Sequence, residues 1–124
     1  MPRILVADDD PVQLELRKML LEAAGHEVLL AYSAPQVMRH LRERGADLVI
    51  MDLRFPNPDG EPDSREGLAL IRQVHDACAS APIVLLSGWT EDIDGQPEEK
   101  LVQRVLLKPV KPAALTKAVQ ELLS

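Results

Sequence analysis

Leu48-Val49-Ile50-Met51-Asp52-Leu53 decides the fold, because it is an apolar run without polar alternation that delivers one carboxylate to its end. Such a run reads as a strand buried on both faces, and strands of that kind belong to parallel sheets covered by helices. Similar runs flank it. Ile4-Leu5-Val6-Ala7 ends in Asp8-Asp9-Asp10, Ile83-Val84-Leu85-Leu86 ends in Ser87-Gly88, and Val105-Leu106-Leu107 ends in Lys108-Pro109. A fifth, Glu27-Val28-Leu29-Leu30-Ala31, has a shorter apolar core and is expected nearer a sheet edge.

Helical patterns lie between the runs. Asp10-Pro11 reads as an N-cap followed by proline at the first helical position, with Gln13 where a capping-box partner would sit. The spacing then predicts Val12, Leu16, Met19, Leu20 and Ala23 on the core face, and Gly25 as the stop. Ser33-Ala34-Pro35-Gln36 opens a second helix with Val37, Met38 and Leu41 inward and Gly45 as its end. A third carries Leu68, Ile71, Val74 and Cys78, and a last one, from about Pro112, carries Leu115, Ala118, Val119 and Leu122. Between Trp89 and Glu99 the pattern is poor, with Gly95 and Pro97 as breakers, and at best a short helix spans Pro97 to Gln103. Strand and helix alternate five times, which predicts an α/β fold with a doubly wound, five-stranded parallel sheet, buried strands and a shortened or irregular fourth helix.

Composition narrows the class. At 124 residues the chain is expected to form one domain over 1–124, without linker or repeat. Twenty acidic against fourteen basic residues give a net charge of −6, which argues against nucleic-acid binding through phosphates. A protein or a cation is the expected partner. Cys78 is the sole cysteine, so no intrachain disulfide forms, and a reducing cytoplasm is the expected setting. The N-terminal apolar run is too short for a signal sequence or a membrane span. Any effector region is expected outside this chain.

In a doubly wound sheet, functional residues collect beyond the carboxyl ends of the strands. Asp8 and Asp9, Asp52, Ser87 and Lys108 all end strands. Gathered carboxylates repel by about 4 kcal/mol per pair at about 4 Å with an effective dielectric near 20, so a cation must sit among them. All-oxygen ligation with positions open to water and phosphate matches magnesium, and the absence of clustered sulfur or histidine disfavours zinc and copper. A carboxylate beside magnesium, a hydroxyl and a lysine form a set suited to phosphoryl transfer. Asp52 is then the nucleophile, forming an aspartyl phosphate. Magnesium bridges one phosphoryl oxygen to Asp9 and Asp52, Lys108 pairs with a second, and Ser87 donates to the third. His26, His40 and His75 are scattered and read as surface residues.

The order Asp-Asp, Asp with Pro56 four positions later, Ser-Gly, Lys-Pro, in sequence along the whole chain, resembles the receiver domain of two-component response regulators. The resemblance implies a flavodoxin-like strand order 2-1-3-4-5, magnesium at Asp8, Asp9, Asp52 and the Arg54 backbone carbonyl, and a cis peptide at Lys108-Pro109. It also implies phosphorylation of Asp52 by a histidine kinase or histidine phosphotransfer protein, and an unidentified downstream protein as target. Gly88, Val105 and Pro109 fall at switch or modulating positions.

Three departures stand out. About seven residues are inserted before the helical run at Gly67, Val105 replaces the aromatic switch residue, and the fourth helix is degenerate. Arg54, two after Asp52, reads either as a residue that alters the lifetime of the phosphoryl group, held by Asp59 or Asp63, or as an exposed arginine paired with the acidic loop. Two other readings compete. One is a phosphorylation-independent interaction domain that keeps the site as a relic. The other is a haloacid-dehalogenase-like phosphatase, with Asp8-x-Asp10, Ser87 and Lys108 as its motifs. The phosphatase needs a late acidic pair, and only Glu121 follows Lys108.

Overall fold

In the computed structural model, which describes residues 1–124, the chain runs β1 (Arg3–Ala7), α1 (Pro11–Ala23), β2 (Glu27–Ala31), α2 (Ala34–Glu43) and β3 (Leu48–Asp52). A hairpin of β4 (Phe55–Pro56) and β5 (Pro62–Asp63) follows, then α3 (Ser64–Ala77), β6 (Ile83–Ser87), β7 (Arg104–Leu107) and α4 (Pro112–Leu123). The five main strands are parallel in the order β2-β1-β3-β6-β7, which is the expected 2-1-3-4-5 order once the hairpin is set aside. Strand β2 is indeed an edge. No helix is long and apolar enough to cross a membrane.

Strand alternation divides the core. Leu5, Ala7, Val49, Met51, Ile83 and Leu85 face α2 and α3, whereas Ile4, Val6, Leu48, Ile50, Val84 and Leu86 face α1 and α4. Both sets are essentially inaccessible to water, and each such aliphatic side chain contributes about 1.5–3 kcal/mol relative to exposure. Helix starts follow the sequence: Asp10 Oδ1 accepts from the Val12 amide at 3.0 Å, Ser33 Oγ from Gln36 at 3.4 Å, and Asp63 Oδ1 from Arg65 at 2.9 Å. The Arg65 guanidinium and these bonds hold the Asp63 carboxyl down at about 2. Gly25 and Gly45 end α1 and α2 with φ of 94° and 72°, where a side chain would be strained.

Of the predicted α1 stripe, Leu20 is partly buried against the core, but most of the stripe is not the core face. Val12, Leu16 and Met19 are exposed by 64%, 55% and 65%, while Leu14, Arg17 and Leu21 are buried. The i, i+3, i+7 row through Leu14 and Leu21 competes with the predicted row, and an arginine within it conceals the pattern until a buried partner is known. Helix α3 also begins earlier than Gly67 implied, because Asp63 caps it at Ser64, and Cys78 is its C-cap, partly buried and packed against the core as expected. The proline-rich stretch after Arg54 is a hairpin, with Phe55 opposite Asp63 and the Asn57 side-chain oxygen accepting from the Asp59 and Glu61 amides.

The fifth parallel strand is not buried. Val105 and Leu107 are 36% and 55% exposed on the face shared with α2 and α3. The element that would cover them is reduced to 3-10 turns at Thr90–Asp92 and Pro97–Leu101. Ile93 seals the core beneath, and buried Glu98 ties the second turn to α3 through Arg72 at 3.1 Å. His26 and His40 are half-buried rather than at the surface, whereas the His75 side chain is 42% exposed, as expected. His40 Nε2 lies 2.9 Å from the Leu30 carbonyl oxygen, and His26 Nδ1 is buried without a partner.

Candidate functional site

Parallel strands of matched register bring their carboxyl ends to one edge, and there the predicted residues meet. Asp8 follows β1, Asp52 ends β3, and carboxylate oxygens of Asp8, Asp9 and Asp52 lie within 4.8 Å of one another. Asp8 and Asp52 are buried, and Asp9 is exposed. Lys108 leaves β7 to place its Nζ 3.0 Å from Asp52 Oδ1, and the Lys108-Pro109 peptide is cis. Asp9, Asp52, Arg54, Ser87, Gly88, Trp89 and Lys108 are among the residues lining a pocket of about 270 Å³. Val105 lies outside that lining.

The three carboxyls differ electrostatically. Burial pushes Asp52 up, and the Lys108 ammonium offsets this only in part. Asp9 is raised by burial and by neighbouring Asp8. Burial opposes ionisation of Asp8 as well, but the Arg17 guanidinium and the Asp10 amide together hold its carboxyl below the usual range. Arg17 Nη1 donates to Asp8 Oδ2 at 2.7 Å, and the Asp10 amide to Asp8 Oδ1 at 3.0 Å. Both oxygens of Asp8 thus already have a donor. The set fits a hard divalent cation, with Asp9 and Asp52 as the freer ligands and Asp8 behind them.

Because the folded protein raises the pKa of Asp52, its ionisation costs stability as pH climbs through and above the ordinary carboxylate range, and that cost is absent below it. Asp52→Asn is therefore expected to stabilise the metal-free fold at neutral pH, an advantage that shrinks on acidification. Urea unfolding of both proteins at neutral and acid pH measures this, and a variant less stable at neutral pH would contradict it.

Ser87 and Arg54 are arranged differently from expectation. The buried Ser87 hydroxyl donates to the Trp89 carbonyl at 2.8 Å and accepts from the Trp89 amide at 3.1 Å, closing the turn through Gly88. Arg54 is held by neither Asp59 nor Asp63. Its Nε and Nη2 donate to Asp92 at 2.7 and 3.2 Å, and its guanidinium stacks on Trp89 at 4.0 Å from the ring centroid. Asp63 is engaged with Arg65 instead. Sequence reasoning missed Arg17, Trp89 and Asp92. Only Arg17 carried a signal, as a charge on the same helical row as Leu14 and Leu21.

In an open parallel α/β sheet ligands bind beyond the carboxyl ends of the strands, and here an acid cluster and a lysine meet at that edge. The chain belongs to the response regulator receiver domain family, which it matches over residues 4–120. It is 32% identical to the transcriptional regulatory protein AruR of Pseudomonas aeruginosa over 98% of this chain and 49% of that protein. It is 34% identical to the sensory/regulatory protein RpfC of Xanthomonas campestris over 97% of this chain and 16% of that protein. The chain thus spans about half or less of the length of these curated relatives. Among solved structures, the response regulator TrrA of Thermotoga maritima, in complex with Mg2+ and BeF, aligns with a TM-score of 0.83 at 25% identity, covering 98% of this chain and 99% of that one. A receiver domain protein from Clostridium thermocellum aligns at 0.84 and 27%, covering 98% and 94%.

Proposed function

We propose that this chain is a phosphorelay receiver that accepts a phosphoryl group on Asp52 from a histidine kinase or a histidine phosphotransfer protein in the cytoplasm. The observation that carries the reading is Asp52 itself, a buried carboxylate with Lys108 Nζ at 3.0 Å on one side and the Asp8 and Asp9 carboxylates on the other. A cation held by Asp9 and Asp52, with Asp8 and the Arg54 carbonyl completing the set, would neutralise charge on the phosphoryl oxygens. An Asp52 oxygen attacks phosphorus, the phosphorus–nitrogen bond of the donor phosphohistidine breaks, and its electron pair returns to the imidazole. Lys108 trades Asp52 Oδ1 for a phosphoryl oxygen. Ser87 turns its hydroxyl from the Trp89 carbonyl toward another.

Hydrolysis of the acyl phosphate is the only other reaction in this reading. Output is a changed protein-binding surface, and neither nucleic acid nor membrane is contacted by this chain. With Val105 and Leu107 exposed, that surface differs from one covered by a full helix.

The test mixes the protein with magnesium and a small acyl phosphate and measures intact mass. Expected is a gain of one phosphate, labile in base, absent with chelator and absent in Asp52→Asn. No gain in the wild type would favour the phosphorylation-independent reading, and steady turnover of a general phosphate ester would favour the phosphatase.

A further inference from the structure

Of the two cations lining the Asp52 pocket, Lys108 is paired within it and Arg54 is paired outside it. The outside partner, Asp92, belongs to the 3-10 turn Thr90–Asp92, and its side chain is only 14% exposed while that of Arg54 is 37% exposed. The bonds that hold this turn are local: Asp92 amide to Trp89 carbonyl at 3.3 Å, Ile93 to Thr90 at 3.0 Å and Asp94 to Thr90 at 2.9 Å. Arg54 therefore ties the turn to the end of β3 with a forked ion pair and, through Trp89, with a stacked face.

We propose that Asp92 is a positioning residue for the phosphoryl group, acting by withholding Arg54 from it. A guanidinium pairs with a carboxylate or a phosphoryl group through the same fork, and a dianion with three acceptor oxygens outcompetes a monoanionic carboxylate for it. A phosphoryl group on Asp52, two residues earlier in the chain and lining the same pocket as Arg54, draws Arg54 off Asp92 and off the Trp89 face. The turn Thr90–Asp92 then loses its tie to β3. Coupling runs both ways: the factor by which phosphoryl binding loosens the Arg54–Asp92 pair is the factor by which that pair weakens phosphoryl binding. This supplies a route from Asp52 to the 90–101 segment that needs no aromatic residue at Val105. The inference rests on the proposed role of Asp52.

A double-mutant cycle on the full chain tests it, with beryllofluoride and magnesium as the phosphoryl probe and calorimetry as the readout. Asp92→Asn is expected to tighten beryllofluoride binding about fivefold in the wild-type background and to leave it nearly unchanged in Arg54→Met. Asp92→Glu, which keeps the carboxylate, returns the affinity toward wild type. Amide hydrogen exchange adds a structural readout: amides 90–94 exchange faster when wild type binds the probe, and are already fast in unliganded Asp92→Asn. Equal tightening in both backgrounds overturns the proposal, since it would reflect the lost charge of Asp92 alone. So does an exchange pattern that ignores the probe. If beryllofluoride binds no variant and the acyl phosphate leaves no mass gain, the role of Asp52 itself fails, and the proposal falls with it.

Discussion

Gly67→Ala is expected to destabilise the protein by about 3 kcal/mol or more and to slow labelling of Asp52 at the same time. Elsewhere in a helix this change is favourable by up to about 1 kcal/mol, because alanine loses less entropy on folding. Here the sign reverses. A methyl group on Gly67 would overlap the carbonyl oxygen of Leu53 and lie 2.6 Å from its carbonyl carbon and 2.8 Å from its Cα. All three are backbone atoms, so no side-chain rotation relieves the overlap. Either α3 lifts from the sheet or the end of β3 moves. Leu53 is bonded through its amide to the Leu86 carbonyl at 3.3 Å and directly follows Asp52, so movement carries the carboxylate away from Lys108. Gly88→Ala is the control for stability alone, since a methyl group there meets nothing within 4 Å although Gly88 lines the Asp52 pocket. Urea unfolding together with the rate of mass gain measures both effects, and a Gly67→Ala protein at least as stable as wild type would refute the packing argument.

The second large effect is expected at Arg17. Asp8 and Arg17 are 2% and 8% exposed and meet at 2.7 Å, so Arg17→Met leaves a buried carboxylate beside Asp9 and Asp52 with one cation fewer. Removing one partner of a buried pair costs about 3–5 kcal/mol, whereas replacing both is far milder. Arg17→Met is accordingly expected to lose about 3 kcal/mol, and Arg17→Met/Asp8→Asn to regain most of it. Magnesium should raise the melting temperature more in Arg17→Met than in wild type, because the ion supplies charge that the arginine no longer does. The pH dependence has a definite sign. With its pKa lowered, Asp8 contributes stability that is present above the ordinary carboxylate value and disappears as pH falls through the folded value. Arg17→Met should lose that contribution, so its deficit is greatest at neutral pH and narrows in acid. A deficit independent of both pH and magnesium would mean that Arg17 acts through packing alone.

These two residues show where reading the chain stops. Gly67 looks like any glycine at the head of an apolar helical run, and its role becomes visible only when α3 is laid across the backbone after Asp52. Arg17 looks like a surface residue of α1 because charge is normally excluded from a core-facing row. The buried carboxylate that admits it belongs to a strand end nine residues earlier. The same limit explains Val12, Leu16 and Met19, which are periodic enough to be a core face but lose the competition to Leu14 and Leu21. It explains β7 as well, whose apolar residues are those of a covered strand although the covering helix is missing.

The strand-end residues behave oppositely. Asp8, Asp9, Asp52, Ser87 and Lys108 could be grouped from the sequence because parallel strands in one sheet present their carboxyl ends at the same edge. The sheet order, the alternating cores and the irregular segment between β6 and β7 follow from the same local patterns of apolar runs, caps and breakers. Side-chain pairing across elements does not. Whether Arg54 meets Asp63 or Asp92, whether the Ser87 hydroxyl faces the pocket or the Trp89 carbonyl, and which face of α1 is buried all depend on distances between segments remote in the chain. Periodicity and capping are local properties that sequence alone determines, whereas the partner of a long charged side chain is chosen among several near-equal candidates only once the tertiary structure has set their distances.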